Sequence, residues 1–198
     1  MKCSLILLLM WSILGAGIAA AQNSDLGLLV GVNLRTSGTV APGRIEGTVS
    51  ASGQINYAIQ LREAKAGVLY LELPLLIADT QKGVVAGTIS SSSSNTFFLT
   101  PGVRWHYTIH PRVALYGSVG GGIAILESEN SFIGGGIVSG STGTTVTGAF
   151  GFGGGLDFRL TRLLSLRAEA RNFVTRAGLG GETGHNHTFI TLGVGFHF

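Results

Sequence analysis

Beyond the N-terminal stretch, apolar and polar positions alternate with a period of two rather than 3.6. Successive side chains of a β-strand point to opposite faces, so this period predicts strands with one apolar face and one polar or small face. At the end of the chain Ile190, Leu192, Val194, Phe196 and Phe198 share one face, and Thr191, Gly193, Gly195 and His197 share the other. Leu164, Leu166, Ala168 and Ala170 alternate in the same way with Ser165, Arg167, Glu169 and Arg171. Eight such segments are predicted, at 27–34, 53–61, 68–77, 97–108, 113–126, 146–160, 164–174 and 187–198. The connectors between them alternate in length: 35–52, 78–96, 127–145 and 175–186 are long, and 62–67, 109–112 and 161–163 are short.

Composition decides what solvent these strands face. The 198 residues are 45% hydrophobic and only 12% charged, with 32 Gly, whereas a soluble domain carries about 25% charged residues. The chain is therefore too apolar to be disordered. After the N-terminus it has no apolar run of about 18 residues, so a helical membrane protein is excluded. What fits is an all-β, eight-stranded antiparallel up-and-down transmembrane β-barrel, whose closed ring pairs every backbone group internally. Alternating short and long connectors match the short periplasmic turns and longer surface loops of outer-membrane barrels.

In that fold the apolar face meets lipid and the polar face lines the lumen. A soluble lipid-carrying barrel would reverse the two faces. Strand phase places Glu72, Asp157 and Glu169 inside with Arg104, Arg159, Arg167 and Arg171, three negative against four positive. Near balance suits a lumen with little water, because unpaired buried charge is costly. A hairpin turning about Arg162 sets Asp157 opposite Arg167. The expectation is a plug of ion pairs, with an ion or proton path as the alternative. Phe97 and Phe150 are expected near the outer interface. Trp105, Tyr107, Phe158, Phe196 and Phe198 are expected near the inner one.

The N-terminus is an address. Met1-Lys2, an apolar stretch and Ala19-Ala20-Ala21 predict a signal peptide at 1–21, cleaved before Gln22, with the barrel at 22–198. Cys3 leaves with it, so the mature chain has no disulfide or thiolate site. Without Lys2 the charges are 12 basic against 10 acidic with no basic run, which excludes nucleic acid as a partner.

The residues resemble those of the small bacterial outer-membrane β-barrel proteins, the eight-stranded OmpA- and OmpX-like group. The resemblance is firmest in the last ten residues, Phe-Ile-Thr-Leu-Gly-Val-Gly-Phe-His-Phe, and is supported by Thr100-Pro101-Gly102-Val103-Arg104-Trp105 and the alternation from Leu164 to Arg171. It implies an outer-membrane location and recognition of the terminal Phe196 and Phe198 by the barrel-assembly machinery. It also implies contact with outer-membrane lipid and lipopolysaccharide, and a structural or surface-interaction role such as membrane integrity or adhesion, with loops that meet host or surface ligands. The chain ends at the barrel, so the cell-wall tethering of two-domain relatives is not carried over.

Motifs of specific chemistry are scarce, and no cofactor is expected. The sequence has no Gly-x-Ser-x-Gly, Walker-type or His-Glu-x-x-His pattern. Glu182, His185 and His187 offer at most a weak metal site, since zinc takes three or four protein ligands. Some small barrels resemble lipid A-modifying enzymes that use a His and a Ser. The nearest pattern here is His106-x-Thr108, which faces inward near the periplasmic end, where His106 is expected to pair with Tyr116. An enzyme is therefore not expected. The alternatives to a structural role are a narrow channel and an outer-leaflet lipid enzyme.

Overall fold

The structure, a computed structural model, describes residues 24–34, 45–85, 89–134, 137–176 and 186–198. The predicted leader at 1–21 and Cys3 lie outside the described residues. The described strands are β1 (Ser24–Leu34), β2 (Ile45–Ala64), β3 (Gly67–Val85), β4 (Ile89–Leu99), β5 (Gly102–His110), β6 (Val113–Gly134), β7 (Ile137–Arg159), β8 (Leu164–Thr175) and β9 (Asn186–His197). Each pairs antiparallel with its neighbours, β2 pairs with β3, and β9 pairs with β1, so the ring closes. Ser24 and Phe198 complete the seam with hydrogen bonds in both directions between their backbones.

Nine strands make eight staves. The segment expected as one strand at 97–108 is interrupted, and β4 and β5 lie end to end along both β3 and β6. The register does not slip across the break: Leu99 pairs with Leu75 and Ile123, and Gly102 with Glu72 and Gly120. Pro101 supplies no N–H, and the register continued along β3 sets Leu73 and Pro74 opposite the break. Two prolines at one height remove two donors from the ladder.

A second correction concerns the long connectors. Most of 78–96 and 127–145 is paired strand, and β6 and β7 run 22 and 23 residues. About 9–11 residues cross a bilayer, so these hairpins continue well past the apolar band. The serine run 90–94 lies within β4, paired to both β3 and β6. Polar, small residues do not prevent pairing. They only remove the apolar face on which the sequence-based assignment of strands depended.

The faces are as the alternation requires. Val30, Leu71, Val119, Leu156, Leu166 and Leu192 are exposed on the outer wall, with Val30 at 71% and Leu192 at 60%. Their alternate neighbours Leu29, Glu72, Ser118, Asp157, Arg167 and Thr191 are buried inside. Trp105, Tyr107, Phe158 and Phe198 are exposed at the end of the short turns and Phe150 nearer the long hairpins, while Phe97 and Phe196 are half-buried. A continuous apolar exterior of this extent is a surface for lipid.

Adjacent glycines show how tightly the two faces differ. A Cβ on Gly122 would lie 1.9 Å from the Leu99 carbonyl oxygen, whereas one on outward Gly121 meets nothing within 4 Å. Gly122→Ala should therefore lower stability by about 1–3 kcal/mol, and Gly121→Ala should leave it unchanged, in urea unfolding of the refolded barrel followed by tryptophan fluorescence. Equal effects at the two positions would show that the wall has room at Gly122.

Candidate functional site

The lumen is filled, and one strand sets its order. The inward residues of β8 are Ser165, Arg167, Glu169, Arg171, Phe173 and Thr175, rising from the short-turn end. Arg167, Glu169, Arg171 and Phe173 each gather partners from strands beyond their immediate neighbours. The result is two ionic tiers below an apolar cap.

In the lower tier Arg167 is clamped between two carboxylates. Its Nε and Nη2 donate to Asp157 at 2.7 and 2.8 Å, and its Nη1 and Nη2 donate to Asp25 at 2.9 and 2.8 Å. Charge-assisted, forked pairs of this kind are the strongest that a guanidinium makes. The Nε2 of His106 lies 3.0 Å from Asp157 Oδ2, and its ring stacks on Tyr116 at 5.1 Å. Arg104 is fully buried, its Nη2 3.1 Å from Asp25, and its guanidinium lies 5.0 Å from the Tyr70 ring centre and 5.4 Å from that of Tyr116. Among the described residues its nitrogens find no hydrogen-bond partner. Ion pairing and two aromatic faces hold it instead.

The middle tier is built on Glu169. Gln54, Asn56 and Tyr116 donate to its carboxylate at 2.9, 3.1 and 2.7 Å, and Arg171 Nε bonds to the same group. Arg171 also reaches Glu72 at 2.7 Å and Ser118 at 3.1 Å. Glu169 and Arg171 thus each have an opposite charge and added hydrogen bonds, the condition under which a dry ion pair is tolerated.

Above lies the cap. Phe98 stacks on Phe173 at 4.3 Å, Phe189 packs edge-on to both at 5.8 Å, and Leu76, Ala78, Ala124, Leu126 and Ala149 complete a buried apolar cluster. His187 also points inward, its ring 5.7 Å from Phe98. The sequence reading expected a polar lumen throughout. Phe98, Phe173 and Phe189 sit in the inward phase of their strands, so alternation does mark them, but each follows or precedes an outward apolar residue that masks the period.

Of the residues singled out by sequence, Glu72, Arg104, Asp157, Arg167, Glu169 and Arg171 come together in this lumen. Arg159 does not. It is exposed at the short-turn end, opposite Ser165 in the β7–β8 register. Strand phase gives the direction of a side chain but not whether it lies above or below the rim. The residue missed was Asp25, two positions before the predicted start of the first strand and in phase with Gly27 and Leu29. The buried balance is therefore four carboxylates, Asp25, Glu72, Asp157 and Glu169, against three guanidiniums, with His106 and His197 each beside a carboxylate.

His197 closes the lower end. Its Nδ1 is 3.1 Å from Asp25 and its Nε2 is 3.0 Å from the Ser165 hydroxyl. That is the connectivity of a nucleophile relay. Yet Ser165 has no solvent exposure, and Asp25 is already clamped by Arg167. His106 stands against Tyr116 as expected, with Asp157 as its charged neighbour. Glu182 and His185 lie outside the described residues. Among the described residues no group of three His, Asp or Glu side chains is placed to hold a metal ion. Phe198 joins the β9–β1 seam, next to Phe196 on the outward face.

A closed ring with an apolar exterior, a filled ionic interior and short turns at one end defines a transmembrane β-barrel. Residues 6–198 match the outer membrane protein beta-barrel domain, and the chain belongs to that family; its location is the bacterial outer membrane. No curated protein matches the sequence. Among solved structures the chain is similar to Ail, the attachment invasion locus protein of Yersinia pestis, with TM-score 0.51, 14% identity, and coverage of 89% of this chain and 97% of that one. It is also similar to Neisserial surface protein A, with TM-score 0.50, 12% identity and the same coverage. The outer membrane protease OmpT of Escherichia coli aligns with TM-score 0.57 at 8% identity, again over 89% and 97% of the two chains. At these identities the likeness is one of fold.

The clamp on Arg167 yields a direct test. Arg167→Ala leaves Asp25 and Asp157 buried without their shared cation and should cost about 3–5 kcal/mol. Arg159→Ala, at the exposed rim, should change stability by less than about 0.5 kcal/mol. Urea titration of each variant in lipid vesicles measures both, and a neutral Arg167→Ala would show that the lumen is wet.

Proposed function

We propose that this barrel is a non-enzymatic platform that anchors a polar sheet at the cell surface for interaction or adhesion. The observation that carries the reading is the pairing of a filled lumen with hairpins that outrun the membrane. Two ionic tiers and the Phe98–Phe173–Phe189 cap fill the interior, so transport has no evident route. Meanwhile β2, β3, β4, β6 and β7 continue past the apolar band as paired strands rich in Ser, Thr and Gly. Residues 140–146 of β7 are exposed without exception.

A shape of this kind presents backbone and hydroxyl groups on a stiff support. Ail, with the same fold, has been solved in complex with the heparin analogue sucrose octasulfate at TM-score 0.50. The exposed Glu127 and Glu129 at the base of the β6–β7 extension do not favour a sulfated ligand here, so the reading is of a neutral, hydrogen-bonding partner. Outer-leaflet lipopolysaccharide adjoins the same sheet, and delivery of the chain by the barrel-assembly machinery through Phe196 and Phe198 belongs to the same reading. Against the lipid-enzyme alternative, Ser165, the serine in contact with a histidine, is buried, and His106 faces the lumen.

The reading predicts that bacteria expressing the chain adhere to an epithelial monolayer more than cells without it. Replacing residues 129–143 by a short turn should remove the gain while the barrel still shows a heat-sensitive gel shift. Adhesion that survives this truncation would overturn the role of the sheet. The channel alternative is separated by planar-bilayer recording, where the filled lumen predicts no discrete conductance steps.

A further inference from the structure

We propose that the periplasmic rim of this barrel is a binding surface for the anionic head groups of phospholipids in the inner leaflet of the outer membrane. All three short turns carry exposed cations: Arg62 and Lys65 on the first, Arg112 on the second, Arg159 and Arg162 on the third. Glu63 is the only acidic residue among them. The opposite end has no such excess. Among the described residues its strand extensions hold Lys82 and Arg176 against Glu46, Asp79, Glu127 and Glu129. The lumen is close to balanced, so among the described residues the basic excess is concentrated at one rim.

Placement favours lipid over a soluble anionic polymer. Exposed apolar residues are interleaved with the cations: Leu61 precedes Arg62, Ile109 precedes the turn to Arg112, and Leu160 and Leu163 flank Arg162. A water-borne polymer gains nothing from these leucines. A bilayer interface takes both, the apolar group below and the cation at head-group level.

The turns also hold the cations at a fixed height. Thr161 Oγ1 accepts from the backbone N–H of Leu163 and Leu164 at 3.2 and 3.0 Å, and Leu160 and Thr161 donate to the Leu164 carbonyl at 2.9 and 3.0 Å. The backbone N–H of Arg159 donates to the Arg112 carbonyl at 2.8 Å, tying the second and third turns together. Gly67, at φ 142°, lets the first turn close with Lys65 at its tip; a Cβ there would lie 2.1 Å from the His106 carbonyl oxygen. Arg112, Arg159 and Arg162 thus form one side of a collar at the bilayer boundary.

The test is lipid selectivity. The full chain is refolded in phosphatidylethanolamine vesicles containing trace spin-labelled phosphatidylglycerol or spin-labelled phosphatidylcholine, and the protein-associated fraction is read by electron paramagnetic resonance. The expected result is association of phosphatidylglycerol about twofold or more above phosphatidylcholine, decreasing as salt is raised. Arg112→Gln, Arg159→Gln and Arg162→Gln together should abolish the preference, and Arg176→Gln at the other end should leave it intact. Equal association of the two lipids by the wild type overturns the proposal, as does a preference that survives the triple substitution. If the triple variant does not refold, Arg112→Gln and Arg162→Gln singly must each reduce the preference, and reduction by neither overturns it. Co-sedimentation with purified peptidoglycan, combined with equal lipid association, would assign the rim to the cell wall instead. None of these outcomes bears on the adhesive role of the opposite end.

Discussion

Hydrocarbon offers no hydrogen bond, and the architecture follows from that constraint. Each backbone N–H and C=O within the apolar band must find its partner in another strand, so the sheet has to close, and it does so through β9 and β1. Closure in turn inverts the usual arrangement of side chains. Leucine and valine face outward because lipid accepts them, and the groups that a soluble protein would leave in water are gathered at the centre. The interior of eight staves is only wide enough for side chains, so those groups must satisfy one another.

The ionic tiers meet that demand by sharing. Arg167 serves two carboxylates, Glu169 accepts from four side chains, and Arg171 bridges both Glu169 and Glu72. Pairs this dry contribute little net stability against an apolar isostere, but breaking one is costly. They act as a register lock: slipping β8 by one residue would send Arg167, Glu169 and Arg171 into lipid. The Phe98–Phe173–Phe189 cap fills the remaining width with packing rather than charge.

Much of this was legible in the alternation, and the failures have physical causes. The outward face could be read from Leu164 to Ala170 or from Ile190 to Phe198 because lipid enforces one sign on every second residue. Beyond the membrane that enforcement ends, so alternation does not mark the strand extensions, although most of 78–96 and 127–145 is paired strand. Asp25 escaped because the apolar pattern that dates the start of β1 begins only at Gly27. Arg159 was misplaced because period two encodes direction and not depth. The break at Pro101 is visible in sequence, but the unchanged register across it is a property of the neighbours β3 and β6.

That break has a mechanical meaning. At the height of Pro74 and Pro101 the wall keeps its covalent continuity while losing cross-strand ties between β3 and the β4–β5 stave. This is the level at which the ionic interior gives way to the aromatic cap. Below it the cylinder is braced from within by interlocked charges, and above it Phe98, Phe173 and Phe189 take over with packing. Because the β4–β5 stave keeps β3 and β6 as partners on both sides of the seam, the alignment set by the charges below is carried unchanged into the hairpins above.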